Sequence, residues 1–339
     1  CSMKKAAIIC GLGLIIGQLV SASPAEAREV RIYSGRHYNT DRKAFKAFSK
    51  ETGIKIRLIE ATGISLIERL KREGKNSKAD IILLVDAARI NNAAQAGLLI
   101  PIQSKKLDQF VPKEYRDPKG RWFGLTRRVR AIIVNPAIVK TSSIKTYADL
   151  AKPEFKGKLC LRKRKNVYNQ SLVADQIILK GAANASNWIK GMVANINQPF
   201  YSGDSSLIRA VGQGKCGIGV VNHYYLARMQ AGQSGHKDQS LARAIKLIMP
   251  NPAHVNVSAG GLATSAKNKT EAIQLIEYLA SPKGSDALAG PTFEYPLRGF
   301  GTSAELKAFG SVNPDNVPIS KLGNTQKKAI QLMAENGWQ

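Results

Sequence analysis

Seven consecutive residues, Ala79-Asp80-Ile81-Ile82-Leu83-Leu84-Val85, restrict the fold of this chain more than any other stretch. The run is too short for a self-supporting helix, and its apolar side chains occupy both alternating faces. As a strand it must be covered on each side. The residues before it supply the cover. Residues 30–33 alternate as a short strand, 34–41 form a polar turn, and 42–51 carry an amphipathic helical pattern. A second strand is expected over 54–59 and a second helix over 63–73. This alternation predicts an α/β fold with a mainly parallel sheet.

Residues 122–136 predict a long strand that crosses to another domain, although Arg127, Arg128 and Arg130 interrupt its apolar pattern. Beyond it, strands are expected at 158–162 and 216–221, and helices at 147–153, 168–181, 188–194 and 205–213. Residues 246–249 and 259–264 are expected to return as strands to the first domain, followed by helices over 270–279 and 282–289. Asn166 and Asn222 stand where helix caps are expected. With about 310 residues after an export segment, the chain is long enough for two domains of ordinary size.

The export segment is residues 1–27. Met3-Lys4-Lys5 is a short basic start, residues 6–20 are an apolar core, and residues 21–27 supply small residues with an A-x-A ending at Ala25-Glu26-Ala27. This is the pattern of a secretory signal peptide cleaved after Ala27, which predicts a periplasmic protein. Its removal takes Lys4, Lys5 and Glu26, a net +1, from the formal charge of +27. So basic a chain favours anionic surfaces or ligands. The export signal, an aromatic content of 6% and the lack of a zinc-finger or Gly-aromatic pattern argue against nucleic acid. Cys160 and Cys216 are the cysteines that remain after position 27, and in an exported chain a pair favours one disulfide over a thiolate metal site, which needs four ligands.

The chain has 10 tyrosines, and Tyr224 and Tyr225 are adjacent, directly after the strand predicted at 216–221. Tyr168 follows the strand at 158–162, and His37 and Tyr38 follow the strand at 30–33. Open α/β sheets bind ligands beyond the carboxyl ends of their strands, so these phenols are expected to converge on a cleft. A phenol loses its proton only near pH 10 unless a highly charged cation stabilises the anion. Phenolate is a hard anionic oxygen donor suited to Fe(III), whereas zinc and copper favour imidazole or thiolate and calcium favours carboxylates. Only 4 histidines and no Asp-rich loop are present, so the pattern points to ferric iron.

Three stretches, SGRHYNTD (34–41), CLRKRKNVYNQSLVA (160–174) and CGIGVVNHYYLARM (216–229), make the chain resemble the ferric-iron substrate-binding proteins of ABC importers, especially the cyanobacterial Fut-type members. The resemblance extends over essentially all of the chain after residue 27. It implies a two-lobed periplasmic-binding-protein fold of the class II type, with a hinge and an interdomain metal cleft. Residues 28–127 with 251–300 would form the first lobe, and 128–250 with 301–339 the second. Carried over by position, Tyr38, Tyr168, Tyr224 and Tyr225 would bind the iron, with His37 as a further candidate. The implied partner is an ABC permease, and the protein is expected to be a monomer.

Apart from Asp41 at the end of the first, no acidic residue stands in these motifs. Arg228 follows Tyr225 by three positions and Tyr224 by four, so it shares their helix face and is expected, with Arg128, to balance the charge of the phenolates. Arg162-Lys163-Arg164-Lys165 is expected to be a solvated basic turn, and His254 a structural hydrogen-bonding residue. The strong positive charge leaves a second reading open, a carrier of an anionic small molecule in the same cleft. An enzyme is disfavoured, because no G-x-S-x-G, Ser/Lys pair or paired-carboxylate pattern is present.

Overall fold

A computed structural model of the protein describes residues 28–197 and 199–339; the expected signal peptide lies outside the described residues. The chain starts with β1 (Glu29–Ser34), α1 (Asp41–Thr52), β2 (Lys55–Glu60), α2 (Gly63–Glu73), β3 (Ile81–Val85) and α3 (Ala87–Gln95). Helix α1 buries Ala44, Phe45 and Phe48 on one stripe and stops at Gly53, whose φ of +72° suits a residue without a side chain. Helix α2 is opened by Thr62, whose hydroxyl accepts the Ser65 amide, and it buries Leu66 and Leu70. All five residues of β3 are buried, as the apolar run demanded.

Short β4 (Leu99–Ile100) and α4 (Lys105–Phe110) lead to β5 (Phe123–Val134), twelve residues that are all buried. The middle of the chain forms β6 (Leu159–Cys160), α5 (Val167–Lys180), α6 (Ala182–Ala194), α7 (Asp204–Gly212), β7 (Ile218–Asn222), α8 (His223–Gln230), α9 (His236–Arg243) and β8 (Lys246–Ile248). The last third adds β9 (Val255–Ala263), α10 (Lys269–Ala280), α11 (Pro282–Thr292), β10 (Tyr295–Pro296), α12 (Ala304–Ala308) and α13 (Leu322–Glu335).

The strand order is β2-β1-β3-β9-β5-β7-β6. The sheet is mixed, which corrects the expectation of a mainly parallel one. Strand β1 lies parallel to β2 and β3, and β6 parallel to β7, but β9 runs antiparallel to β3 and β5, and β5 antiparallel to β7 and β8. The reason lies in the two long strands. Each runs through the molecule from one half of the sheet toward the other, and so meets its neighbours in the opposite direction. Strand β5 changes partners along its length, with Phe123 to Val129 against β9 and Arg130 to Val134 against β7. Strand β8 pairs with Ile132 to Val134 at the far end of β5, so of the two expected returning strands only β9 goes back to β3. Cys160 is bonded to Cys216, which ties the end of β6 to the approach to β7.

Helix α13 packs on both α5 and α3. Beside this junction His254 enters β9, with its Nδ1 3.0 Å from Asp175 of α5. Its amide donates to the Tyr147 hydroxyl, which in turn donates to the carbonyl of Arg130. His254 is therefore the structural hydrogen-bonding residue expected. Partly buried Asp315 joins buried Asp175 and His254 in a group whose ligand-type atoms lie within 4.8 Å of one another. Burial first, and the Asp175 carboxylate second, push the Asp315 carboxyl up to about 7. His254 is also raised, the two carboxylates outweighing its burial.

Both shifts have one sign. A group whose folded pKa is raised stabilises the protein below its unfolded pKa and loses that effect as pH rises through the folded value. For Asp315 the window runs from the ordinary carboxylate range to about 7. The Asp315→Asn variant is expected to gain thermal stability relative to the parent between pH 5 and pH 8. Melting curves at several pH values check this, and a difference independent of pH would contradict it.

Candidate metal centre

Three strand ends face one another. Tyr38 lies in the turn after β1, Tyr168 in the first turn of α5 after β6, and Tyr224 and Tyr225 in the first turn of α8 after β7. The Asn166 side chain caps α5 by accepting the amides of Tyr168 and Asn169. Asn222 holds the cap position of α8 but does not cap with its side chain. Its amide nitrogen donates instead to the Tyr224 hydroxyl at 3.2 Å, and its oxygen accepts from Arg130. Gly35 lets the first turn pass close to α2, because a Cβ there would meet the Gly63 Cα at 3.2 Å.

The phenols are close. The Tyr224 and Tyr168 hydroxyl oxygens are 3.5 Å apart, and the Tyr224 and Tyr225 rings stack with centroids 4.6 Å apart. The Arg228 guanidinium carbon lies 4.9 Å from the centroids of both Tyr224 and Tyr225 and 5.7 Å from that of Tyr38. Arg128, buried on β5, lies 5.2 Å from the Tyr168 centroid. His37 is exposed, and its φ of +58° is in the left-handed region.

Burial and mutual repulsion hold Tyr38, Tyr224 and Tyr225 in the neutral form. Tyr38 is pushed up to about 12, first by burial, then by the Glu294 carboxylate and Tyr168. Tyr224 and Tyr225 are raised further, by burial and then by Tyr168. Proximity to one another opposes ionisation, so only a strong cation would turn the cluster into phenolates.

Beyond Arg228 and Arg128, the charged surround was not foreseen from the motifs. Arg130, 2% exposed, donates to Asp204 at 2.6 Å and to Asn169 at 2.7 Å. Asp204 opens α7, accepts the Asn222 amide and pairs with Arg162 at 3.3 Å. Arg162 is thus no solvated turn residue. Its guanidinium lies 5.8 Å from the Tyr168 centroid and donates to the Ser202 carbonyl, because the loop folds back on α7, while Lys163 and Lys165 are exposed. Arg36, inside the first tyrosine motif, is buried between Asp41 and Glu294. Glu294 comes from outside all three motifs and is brought by the fold to the Arg36 that Asp41, the one acidic residue within them, already holds. His223, also unforeseen, is kept neutral by burial, which lowers it to about 3. Its Nδ1 accepts the Val129 amide and its Nε2 donates to the Phe293 carbonyl.

Residues 76–317 match the family of bacterial extracellular solute-binding proteins. The chain belongs to this family. It is 37% identical to iron uptake protein A1 of Synechocystis over 94% of this chain and 90% of that protein. It is 28% identical to the Fe(3+)-binding periplasmic protein of Serratia marcescens over 96% of each. Among solved structures, the Trichodesmium protein (IdiA, FutA) in complex with iron and citrate is 41% identical with a TM-score of 0.88, over 92% of this chain and 100% of that one. Apo FutA2 from Synechocystis is 36% identical with a TM-score of 0.87, over 93% and 100%. The fold is the mixed α/β periplasmic-binding-protein fold that the resemblance implied, and its family is one of solute-binding proteins. Among the described residues no helix is long and apolar enough to cross a membrane.

The electrostatics yield a stability test. Removing Asp204 leaves Arg130 buried beside a neutral amide shell, and breaking such a pair from one side costs about 3–5 kcal/mol. Asp204→Ala is expected to lower the denaturation midpoint accordingly, while exposed Asp286→Ala leaves it unchanged within about 0.5 kcal/mol. Equal midpoints in urea would contradict the pairing.

Proposed function

We propose that this protein captures Fe(III) outside the cytoplasmic membrane through the phenolates of Tyr38, Tyr168, Tyr224 and Tyr225, and hands it to an ABC permease without chemical turnover. The observation that carries the reading is the convergence of four phenols from three strand ends, with a 3.5 Å approach of Tyr168 and Tyr224. Iron is the cargo. Iron uptake protein A1 and the Serratia Fe(3+)-binding protein, similar along nearly the whole chain, add support. His37, exposed beside Tyr38, is kept as a further candidate donor.

Four phenolates around Fe(III) carry a formal charge of −1, and buried net charge is costly without a counter-charge. Arg228, over three of the rings, and Arg128, over the fourth, supply it. The lobes we assign are residues 28–127 with 251–300, and 128–250 with 301–339. The change of partners along β5 supports the first boundary, and the Trp338 indole donating to the Arg162 carbonyl supports the place of the C-terminal segment. A signal peptide at residues 1–27 would deliver the protein to the periplasm.

Tyr168→Phe and Tyr225→Phe keep the rings and delete one oxygen each. Each variant is expected to retain its far-ultraviolet circular dichroism and to lose iron affinity by at least about tenfold. The parent is expected to show a broad visible phenolate-to-iron charge-transfer band, shifted or weakened in both variants. Colourless iron-loaded parent protein would refute the tyrosine site.

Because Tyr38, Tyr224 and Tyr225 are neutral without metal, their ligation must expel protons. Loading unbuffered protein with ferric ion at pH 7 is expected to release about one proton per phenolate formed, after subtraction of the chelator blank. Affinity therefore falls as pH falls. A pH-stat reading below one proton per iron would contradict phenolate ligation.

A further inference from the structure

Residues 293 and 294 touch the supports of three of the four phenols, Tyr38, Tyr168 and Tyr224. The Phe293 carbonyl accepts from His223, the residue before Tyr224. Glu294 Oε1 lies 3.0 Å from Arg36 Nη1, and its Oε2 lies 4.0 Å from Arg128 Nη1. Arg36 in turn rests 4.9 Å from the Tyr38 centroid, and Arg128 rests 5.2 Å from that of Tyr168. Phe293 itself is held at φ +61°, a left-handed conformation that a bulky side chain seldom adopts.

We infer that Glu294 is a positioning residue for the metal: it sets the distance between Tyr38 and Tyr168 by holding the two guanidinium groups against which their rings lie. This rests on the tyrosine site proposed above. Glu294 is 1% exposed, Arg36 and Arg128 each 2%. Burial opposes its ionisation, but the two arginines and the hydroxyls of Thr126 and Thr292 outweigh that and hold it below the usual glutamate range. Thr126 completes the frame. Its hydroxyl accepts from Arg36 at 3.2 Å and donates to Glu294 Oε2 at 2.7 Å, while Thr292 donates to Oε1 at 2.9 Å.

The geometry is well determined because each guanidinium has a second anchor. Arg36 makes a two-point contact with Asp41 at 2.8 and 3.1 Å. Arg128 donates to the Val257 carbonyl at 2.9 Å and to the Ser258 hydroxyl at 3.3 Å. Planar forks held at two edges have little freedom to turn, so a ring lying on one is placed with it. Glu294 joins two such forks from different segments of the chain. A carboxylate acting by charge alone would do the opposite of helping, since it disfavours phenolate at Tyr38.

That opposition makes the test decisive. Glu294→Gln and Thr126→Val are loaded with ferric citrate, and the visible band and the rate of iron loss to excess EDTA are measured. Positioning predicts a shifted band and iron loss faster by about 10–100-fold in Glu294→Gln, the usual effect of disturbing the groups behind metal ligands. Thr126→Val, which keeps every charge, is expected to move both readings in the same direction by less. Unchanged band and rate in both variants, or slower loss from Glu294→Gln, would overturn the inference. If Glu294→Gln fails to fold, Thr126→Val decides alone. Absence of the band in the parent would instead refute the tyrosine site, so the two failures are distinguishable.

Discussion

Strand β5 carries three arginines through the interior, and the rest of the site is organised around their compensation. Guanidinium groups do not lose their charge when buried, so each must be matched within the protein. Arg130 is met by Asp204, Asn169 and Asn222, which draws the starts of α5, α7 and α8 to one point. Arg128 is met by Val257, Ser258 and Glu294, which draws in β9 and the segment after α11. Arg127 points elsewhere and donates to the Pro296 carbonyl at 2.6 Å. One strand therefore gathers the elements on both of its flanks.

The tyrosines profit from this arrangement. Three guanidinium groups, from Arg128, Arg130 and Arg162, lie within 6 Å of the Tyr168 ring centroid. The attraction between a cation and an aromatic face steadies the ring while metal is absent. The same charges would favour the phenolate once metal is present. Neutral phenols packed together and fixed positive charges nearby are complementary. The first keeps the cluster from carrying a buried negative charge, and the second would stabilise that charge at the proposed ferric site.

Local pattern made much of the framework legible. The helix over 63–73 falls where the apolar spacing put it, and the long strand at 122–136 is β5 with its ends trimmed. Those are short-range properties, since amphipathic period and turn residues act over a few positions. Strand direction was not legible, because whether β9 runs with or against β3 depends on a partner some 180 residues away. Arg162 misled for a related reason. Four basic residues in a row resemble a solvated turn until Asp204, 42 positions on, is seen beside the first of them.

By itself the sequence determined the α/β class, the pairing of the two cysteines after residue 27, and the tyrosines that follow strand ends, since each depends on residue type and local order. Local order already pointed to Arg228 and Arg128, but tertiary structure alone brought Arg130, Arg162 and Glu294 to the surround of those tyrosines. Glu294 lies about 70 residues beyond the tyrosine pair and in no motif, yet it sits against Arg36 and Arg128. Electrostatic compensation acts through space at a few ångströms and takes no account of separation along the chain. It becomes visible only when the chain has folded.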